Sequence, residues 1–341
     1  MTRVALSTQH DKAPFLRQTP NGNGRWGDFV FQMVPSQDLQ RGYSRAVGDD
    51  WLVVYDNPHD PVETDLPRSR RVIVITEPPG LKNYYDGFLK QFGVMLSPFP
   101  VPGFEGRFIQ TDVGLPWHIG LNFLDPSYPV PSRWTFEELE AMPVGEKQHR
   151  LSAVVSTKSK LPRHRRRVEF VLALAEQMGD QFCLFGRGFS RIEDKAEAIL
   201  PYTHHLVIEN NTEDSFFTEK TADAYLGWAL PIFSGCKNIN DFFPEDSMIC
   251  FDLDSPDAVE RVVAGFECPI NQDRLAAIAE ARRRVMHEAN LFSKLADVLG
   301  GMDAPPPIRV HAVVLPNNDF KNARRRLKRR LWLLGRGFIR P

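Results

Sequence analysis

Short apolar runs rich in Val, Ile, Leu and Phe alternate along this chain with longer stretches of helical period, and that alternation restricts the fold more than any other feature. Strands joined by helical crossovers lie parallel in a sheet, so α/β units are expected. In the first half the runs are FVFQMV (29–34), WLVVYD (51–56), RVIVIT (71–76) and GVMLSP (93–98). In the second they are LSAVVS (151–156), QFCLFG (181–186), HHLVIE (204–209), ALPIFSG (229–235) and SMICFDL (247–253), with a helix over 165–178. The stretch EELEAMPVGEKQHR (137–150) is polar and interrupted by Pro143 and Gly145, which marks a boundary. Two Rossmann-like domains are therefore expected, over 1–148 and 149–304, with a linker and basic tail over 305–341. A single long helix is expected from Asn271 to Leu299, closed by Gly300 and Gly301, followed by a stiff APPPI linker (304–308).

With 341 residues, 42% of them hydrophobic, the chain has enough apolar surface for two cores. Formal net charge is −1, but the segment from Lys321 to Pro341 holds nine of the 42 basic residues and no acid, so the body carries 33 basic against 43 acidic residues. Such a body repels nucleic acid, and no aromatic platform is interleaved with the cations of the tail; nucleic acid is not an expected partner. The four cysteines lie far apart with no CxxC pair and no histidine at ligand spacing, which suits buried free thiols in a reducing, cytoplasmic setting. No run is long and apolar enough for a transmembrane span, and the first residues lack the apolar core of a signal peptide.

The chemistry-bearing stretch is IENNTEDSFFTEKTADAYLGWALPIFSG (208–235). Its apolar strand ends on Glu209-Asn210, a polar loop follows, and a helix starts at Thr218-Glu219-Lys220, with Ser215 or Thr218 as cap. A helix start presents free N–H groups and favours anions, so Lys220 there suits a phosphate. Glu219 would repel a phosphate but would accept two hydrogen bonds from the vicinal hydroxyls of a ribose. Together they describe a nucleoside diphosphate lying across the helix start. The plainer alternative is an acid that complements the helix dipole beside a solvated lysine.

The same stretch resembles the signature of glycosyltransferase family 10, the α-1,3/α-1,4-fucosyltransferases of bacterial type, in which a strand ending Glu-Asn is followed by a Thr-Glu-Lys helix start and a strand reading Pro-(Val/Ile)-x-x-Gly. Glu209-Asn210, Thr218-Glu219-Lys220 and Pro231 to Gly235 match in order and spacing, and VVSTKSKLPRHRRRVEFVLAL (154–174) with FGRG (185–188) extends the likeness over about Ser152 to Leu253. The sequence departs from the pattern at Thr157, Ser215 and Phe216. The resemblance implies a GT-B fold of two facing Rossmann-like domains, acceptor in the first half, donor in the second, chemistry between them. It implies inverting transfer of fucose from GDP-fucose to a glycan hydroxyl without a donor-site metal. Glu77, straight after RVIVIT, falls where the family places its catalytic base; on the residues alone it reads as an acid opening a surface loop. Arg167 aligns with the arginine that contacts the donor diphosphate, the rest of the RHRRR run being solvated. Asn210 would orient donor hydroxyls, Glu209 beside it would belong to the donor site, Phe216 would stack on the base, and Gly186 would let the backbone approach the donor.

Other candidates are weaker: the DLD of Asp252 to Asp254 reads as turn chemistry, His204-His205 as packing, and His118 as a border of the acceptor side. In the tail, Phe320, Leu327, Leu331, Leu334 and Phe338 fall on one helical stripe among cations, which suits an anionic membrane surface through 321–340 and a lipid-linked or envelope glycan acceptor; packing onto the body or a disordered end are the alternatives. A different class stays open beside the transferase: a catalytically silent, membrane-associated nucleotide-binding scaffold. So does a related transferase using another nucleotide sugar.

Overall fold

The computed structural model describes residues 1–35, 43–78, 81–114, 116–157, 162–302 and 306–322, with Arg324, Arg325, Leu327, Lys328, Leu331 and Gly335 of the tail. The chain forms two compact units, each of them discontinuous in sequence: Met1–Asp11, Gly22–Val113 and Leu295–Pro341 make the first, Lys12–Asn21 and Gly114–Lys294 the second. Composition located a break near 148, but packing groups 114–148 with the second sheet and returns the chain from 295 onward to the first.

The first unit is built on β1 (Thr2–Thr8), β2 (Arg25–Trp26), β3 (Phe29–Met33), β4 (Ser44–Ala46), β5 (Trp51–Tyr55), β6 (Val62–Thr64), β7 (Arg71–Val74), β8 (Val94–Ser97) and β9 (Arg107–Gln110), with the short α1 (Asp86–Leu89). Seven of these strands form one sheet in the order β2-β3-β1-β5-β7-β8-β9, parallel throughout apart from the β2–β3 hairpin. Its central strands β5, β7 and β8 are buried at every position, as strands covered on both faces must be. The order of strands reverses between β1 and β5. In open α/β sheets such a reversal opens a crevice outside the carboxyl ends of the strands.

The second unit holds α2 (Phe136–Ala141), β10 (Gln148–Val154), α3 (Pro162–Met178), β11 (Phe182–Phe185), α4 (Ala196–Ile199), β12 (Tyr202–Ile208), α5 (Glu219–Leu226), β13 (Leu230–Ser234), β14 (Ile249–Cys250), α6 (Ala258–Glu267) and α7 (Gln272–His287). Its five strands are all parallel, in the order β11-β10-β12-β13-β14, with the reversal between β10 and β12. Leu151, Ala153, Leu206, Ile208 and Ile232 of the strands pack with Phe170 and Leu174 of α3 in one core. Each of the Leu, Ile and Phe side chains contributes roughly 1.5–3 kcal/mol by leaving water. The expected α/β class, with two units each built on a mainly parallel sheet, holds.

Two expectations are corrected. The long helix over 271–299 is broken: α7 ends at His287 and α8 (Leu291–Gly300) starts afresh after Asn290. Asn290 is fully buried, donates to the carbonyls of Gln18 (2.8 Å) and Met286 (2.9 Å) and accepts the N–H of Phe292, so its side chain ends one helix and caps the next. Nor is everything after 304 linker and tail, because β15 (Ala312–Val314) pairs antiparallel with β6 in a small sheet with β4. Phe320 packs against Gly87 of α1 within the same unit, whereas Leu327 and Leu331 are exposed. Leu334 and Phe338 lie outside the described residues. Among the described residues no helix is long and apolar enough to cross a membrane.

Candidate active site

The stripe that buries Phe170, Val171 and Leu174 of α3 also carries Arg167, one turn nearer the helix start, so the same periodicity sets a guanidinium against the carboxyl edge of the second sheet. Arg167 is buried and donates through Nη1 to Oδ1 of Asn210 at 2.9 Å, while its Nε is buried with no partner in the protein. Burial lowers its pKa, and the nearby Glu209 opposes that shift. The run around it is not all solvated as expected. Arg163 reaches the Glu209 carbonyl and Asp254, Arg166 reaches the Leu253 carbonyl, and Arg165 alone of the three is fully exposed.

Glu209, directly after β12, is 0% exposed and faces inward. Its carboxylate accepts from the Thr218 N–H (2.7 Å), the Thr218 hydroxyl (2.7 Å to Oε2), the Thr221 hydroxyl (3.2 Å) and the Lys220 ammonium (3.2 Å). A buried charge is tolerated only when so paired. Glu209 thereby sets the start of α5, whose cap is Thr218. Gly235 makes room for it, since a Cβ there would come 2.8 Å from the Cβ of Glu209.

Lys220 and Glu219 sit 3.4 Å apart at this helix start, both partly open to solvent. Burial would lower the pKa of Lys220, but the carboxylates of Glu209 and Glu219 outweigh it and raise it, so the side chain stays an ammonium. For Glu219, burial would raise the pKa and the ammonium groups of Lys220 and Lys195 overcome it, holding the carboxylate ionised.

Two members of this network escaped the sequence reading. Asp223, wholly buried on α5, accepts from Lys195 (2.8 Å) and from the backbone N–H groups of His118 (2.8 Å) and Ile119 (3.0 Å). Lys195 also lies 3.6 Å from Glu219. Only the fold brings 118, 195 and 223 together; no spacing in the sequence announces them. Burial, aided by Lys195 and opposed by Glu219, holds the His118 imidazole down at about 4, hence neutral at pH 7.

Arg167, Lys195, Lys220 and Asp223 line a cavity of about 20 Å³ beside the strand reversal, room for about one water. Past Gly235 an open cleft of about 730 Å³ runs over the carboxyl ends of β13 and β14, lined by Ser234, Lys237, Asp252 and Arg261 among others. Asp252 accepts the N–H of Asp254, a local turn.

The structure gives Gly186 and Phe216 particular surroundings. Gly186 has φ 114° and packs so closely on the Val155 carbonyl that a side chain would collide with it, so the glycine lets loop 185–190 close over the end of β10. Phe216 is 3% exposed, its ring within the protein. Ser215 before it is left-handed (φ 60°) and its N–H donates to Asn238.

In the first unit Glu77 follows β7 at the carboxyl edge of its sheet, half-buried. One strand nearer the reversal, after β5, stands Asp56, a buried carboxylate that the sequence reading did not single out. Among the described residues no group of His, Cys, Asp and Glu has the form of a metal site.

Residues 145–263 match the family model described as glycosyltransferase family 10 (fucosyltransferase), C-terminal part. Among solved structures the chain is similar to an α1,3-fucosyltransferase with GDP-fucose (14% identity, 90% of this chain and 92% of that one, TM-score 0.43) and to an α1,3-fucosyltransferase with GDP (16%, 89% and 91%, 0.44). It is also similar to an OtsA apo structure (9%, 75% and 74%, 0.46). No curated protein matches the chain.

Proposed function

Because residues 145–263 match the model of glycosyltransferase family 10, we propose that the chain is a member of that family and transfers fucose from GDP-fucose to a glycan hydroxyl with inversion. In this reading the second unit holds the donor. Arg167, with its unpartnered Nε, and Lys220 bind the diphosphate and offset the charge that grows on it as the bond to fucose breaks. Arginine suits the task because its planar fork meets two phosphate oxygens at once. Glu219, held ionised, takes the ribose hydroxyls, and Asn210, tied to Arg167, orients the sugar. The cleft past Gly235 has the volume a nucleoside needs. Glu209 and Phe216 serve by shaping the start of α5 and packing the loop before it, instead of touching ligand.

Glu77 takes the proton from the acceptor hydroxyl as its oxygen bonds to the anomeric carbon, and the electron pair of the broken bond leaves with GDP. With two cations at the diphosphate, no divalent ion is part of this reading. The acceptor class, an envelope or lipid-linked glycan, rests on the basic tail alone.

The observation that carries the proposal is the join of Arg167, Lys220 and Glu219 at one strand reversal. Calorimetry with GDP, UDP and CMP sugars tests it: GDP and GDP-fucose bind, and Arg167→Lys weakens GDP about 10-fold, the scale of one charge-assisted contact. Preference for another nucleotide, or GDP affinity unmoved in Arg167→Lys, would refute it.

A further inference from the structure

Charged side chains of alternating sign stand in file across the start of α5. Asp223, wholly buried, meets the Lys195 ammonium through Oδ2 at 2.8 Å, and Lys195 reaches on to Oε1 of Glu219 at 3.6 Å. Lys220 lies 3.4 Å from that same oxygen and ends the file on the buried Glu209 at 3.2 Å. Both ends are fixed from outside: Oδ1 of Asp223 accepts the backbone N–H groups of His118 and Ile119, and Glu209 is held by Thr218 and Thr221. Of the three acids only Glu219 is partly open, its side chain 20% exposed. Both ammonium groups meet its Oε1, so neither of them claims Oε2. The two cations are not equivalent. Lys220 is the next residue on the same helix, and adjacent helical positions point to different faces, so that pair alone would leave the carboxylate free to swing. Lys195 comes from another element, directly before α4, and is anchored on a buried acid.

We propose that Lys195, anchored on Asp223, is a positioning residue for Glu219 and thereby sets how strictly the site demands the ribose hydroxyls of a nucleoside diphosphate. The inference rests on the reading of Glu219 as the ribose acceptor given above. A carboxylate pinned through one oxygen presents the other in a fixed direction, and a hydroxyl that meets it has less side-chain freedom to freeze. Lys195 also lines the small cavity with Arg167 and Lys220, where its charge could act on the diphosphate directly. The distances favour the first role, since the ammonium already stands between two carboxylates.

The test compares two ligands that differ by a single hydroxyl. Affinities for GDP and 2′-deoxy-GDP are measured by calorimetry on the full chain and on Lys195→Gln, Lys195→Arg, Glu219→Gln and the double variant Lys195→Gln/Glu219→Gln, with melting temperatures to confirm that each is folded. Lys195→Gln keeps a donor for Asp223 and removes the cation. The wild type is expected to favour GDP at least about 10-fold, the scale of one hydrogen bond to a charged group. Lys195→Gln should narrow that preference to about threefold by weakening GDP, with 2′-deoxy-GDP within about twofold of wild type, and Lys195→Arg should restore most of it. Once Glu219→Gln has removed the carboxylate, Lys195→Gln should change the preference no further, because a residue that acts through Glu219 has nothing left to position. Asp223→Asn gives a second route if Lys195→Gln does not fold: it keeps an oxygen for the two N–H groups, loosens the ammonium, and should narrow the preference in the same direction. Equal weakening of both ligands would put Lys195 on the diphosphate and overturn the inference, as would a preference unchanged in Lys195→Gln or, where that variant does not fold, in Asp223→Asn; either result leaves Glu219 its role. A wild type without preference, or a Glu219→Gln variant that keeps the wild-type preference, would overturn the ribose reading itself.

Discussion

The two sheets end in the same way beside their reversals of strand order, on a buried carboxylate, yet they use it differently. Glu209 after β12 gathers donors from the next helix, all within twelve positions of itself, and so orients the first turn of α5. Asp56 after β5 gathers donors from residues 26 to 47 positions away and so pins separate loops to one another. The first arrangement organises a helix start; the second ties separate loops to the end of one strand. Local donors make a cap, and distant donors make a clamp.

The comparison breaks most visibly at Glu209. Glu209→Ala leaves Lys220 without its buried partner and Thr218 and Thr221 without their acceptor, and is expected to cost about 3–5 kcal/mol in denaturant unfolding. A loss below about 1 kcal/mol would show that the helix start does not depend on the carboxylate.

Acid should separate the units next. Burial holds His204 down at about 4 and His205 at about 3, both on β12 of the second unit. The unfolded chain titrates near 6.5 and so binds protons first, which means this stability is whole above about pH 6.5 and drains away as pH falls toward those folded values. At pH 5 each imidazole accounts for a loss on the order of 1–2 kcal/mol. Asp56 has the opposite sense: burial would raise its pKa, but the bonds from His10, Lys82 and Tyr84 lower it, so its contribution is present above the ordinary carboxylate range and is lost only below it. Hydrogen-exchange protection at pH 5 against pH 7 should therefore fall in β12 and hold in β5. Equal loss in both strands would contradict the assignment. The smallest effect is expected from Thr218→Ala, about 1 kcal/mol for a lost cap, read as a shift in the denaturation midpoint.

How much of this was readable beforehand follows from the same contrast. Parallel α/β units, the strand ending at Glu209 and the helix starting at Glu219 were legible because their signals are local. The inward turn of Glu209 was not, since spacing does not say which way a side chain faces; it depends on Gly235 leaving room across the sheet. Phe216 was assigned to base stacking from its neighbours in sequence, whereas its ring is buried. The break at Asn290 depends on Gln18, which precedes it by 272 residues, and a helical period alone continued through it. Asp56, Lys195 and Asp223 were passed over for the same reason. β1 too went unread, although TRVALST pairs in parallel with both β3 and β5 at the centre of its sheet.

Asn317 gives the chain's late return to the first unit a temporal meaning. Its backbone N–H bonds the side chain of Asn57, its amide reaches the Asn83 carbonyl, and its Oδ1 takes the N–H of Tyr85, on either side of the phenol that Asp56 holds. During synthesis every residue of the second unit is made before Asn317, so that unit can begin to fold first. The loop around Tyr84 must wait for Asn317 to be latched. A nascent chain would thus begin its second core ahead of the last fastening of its first unit.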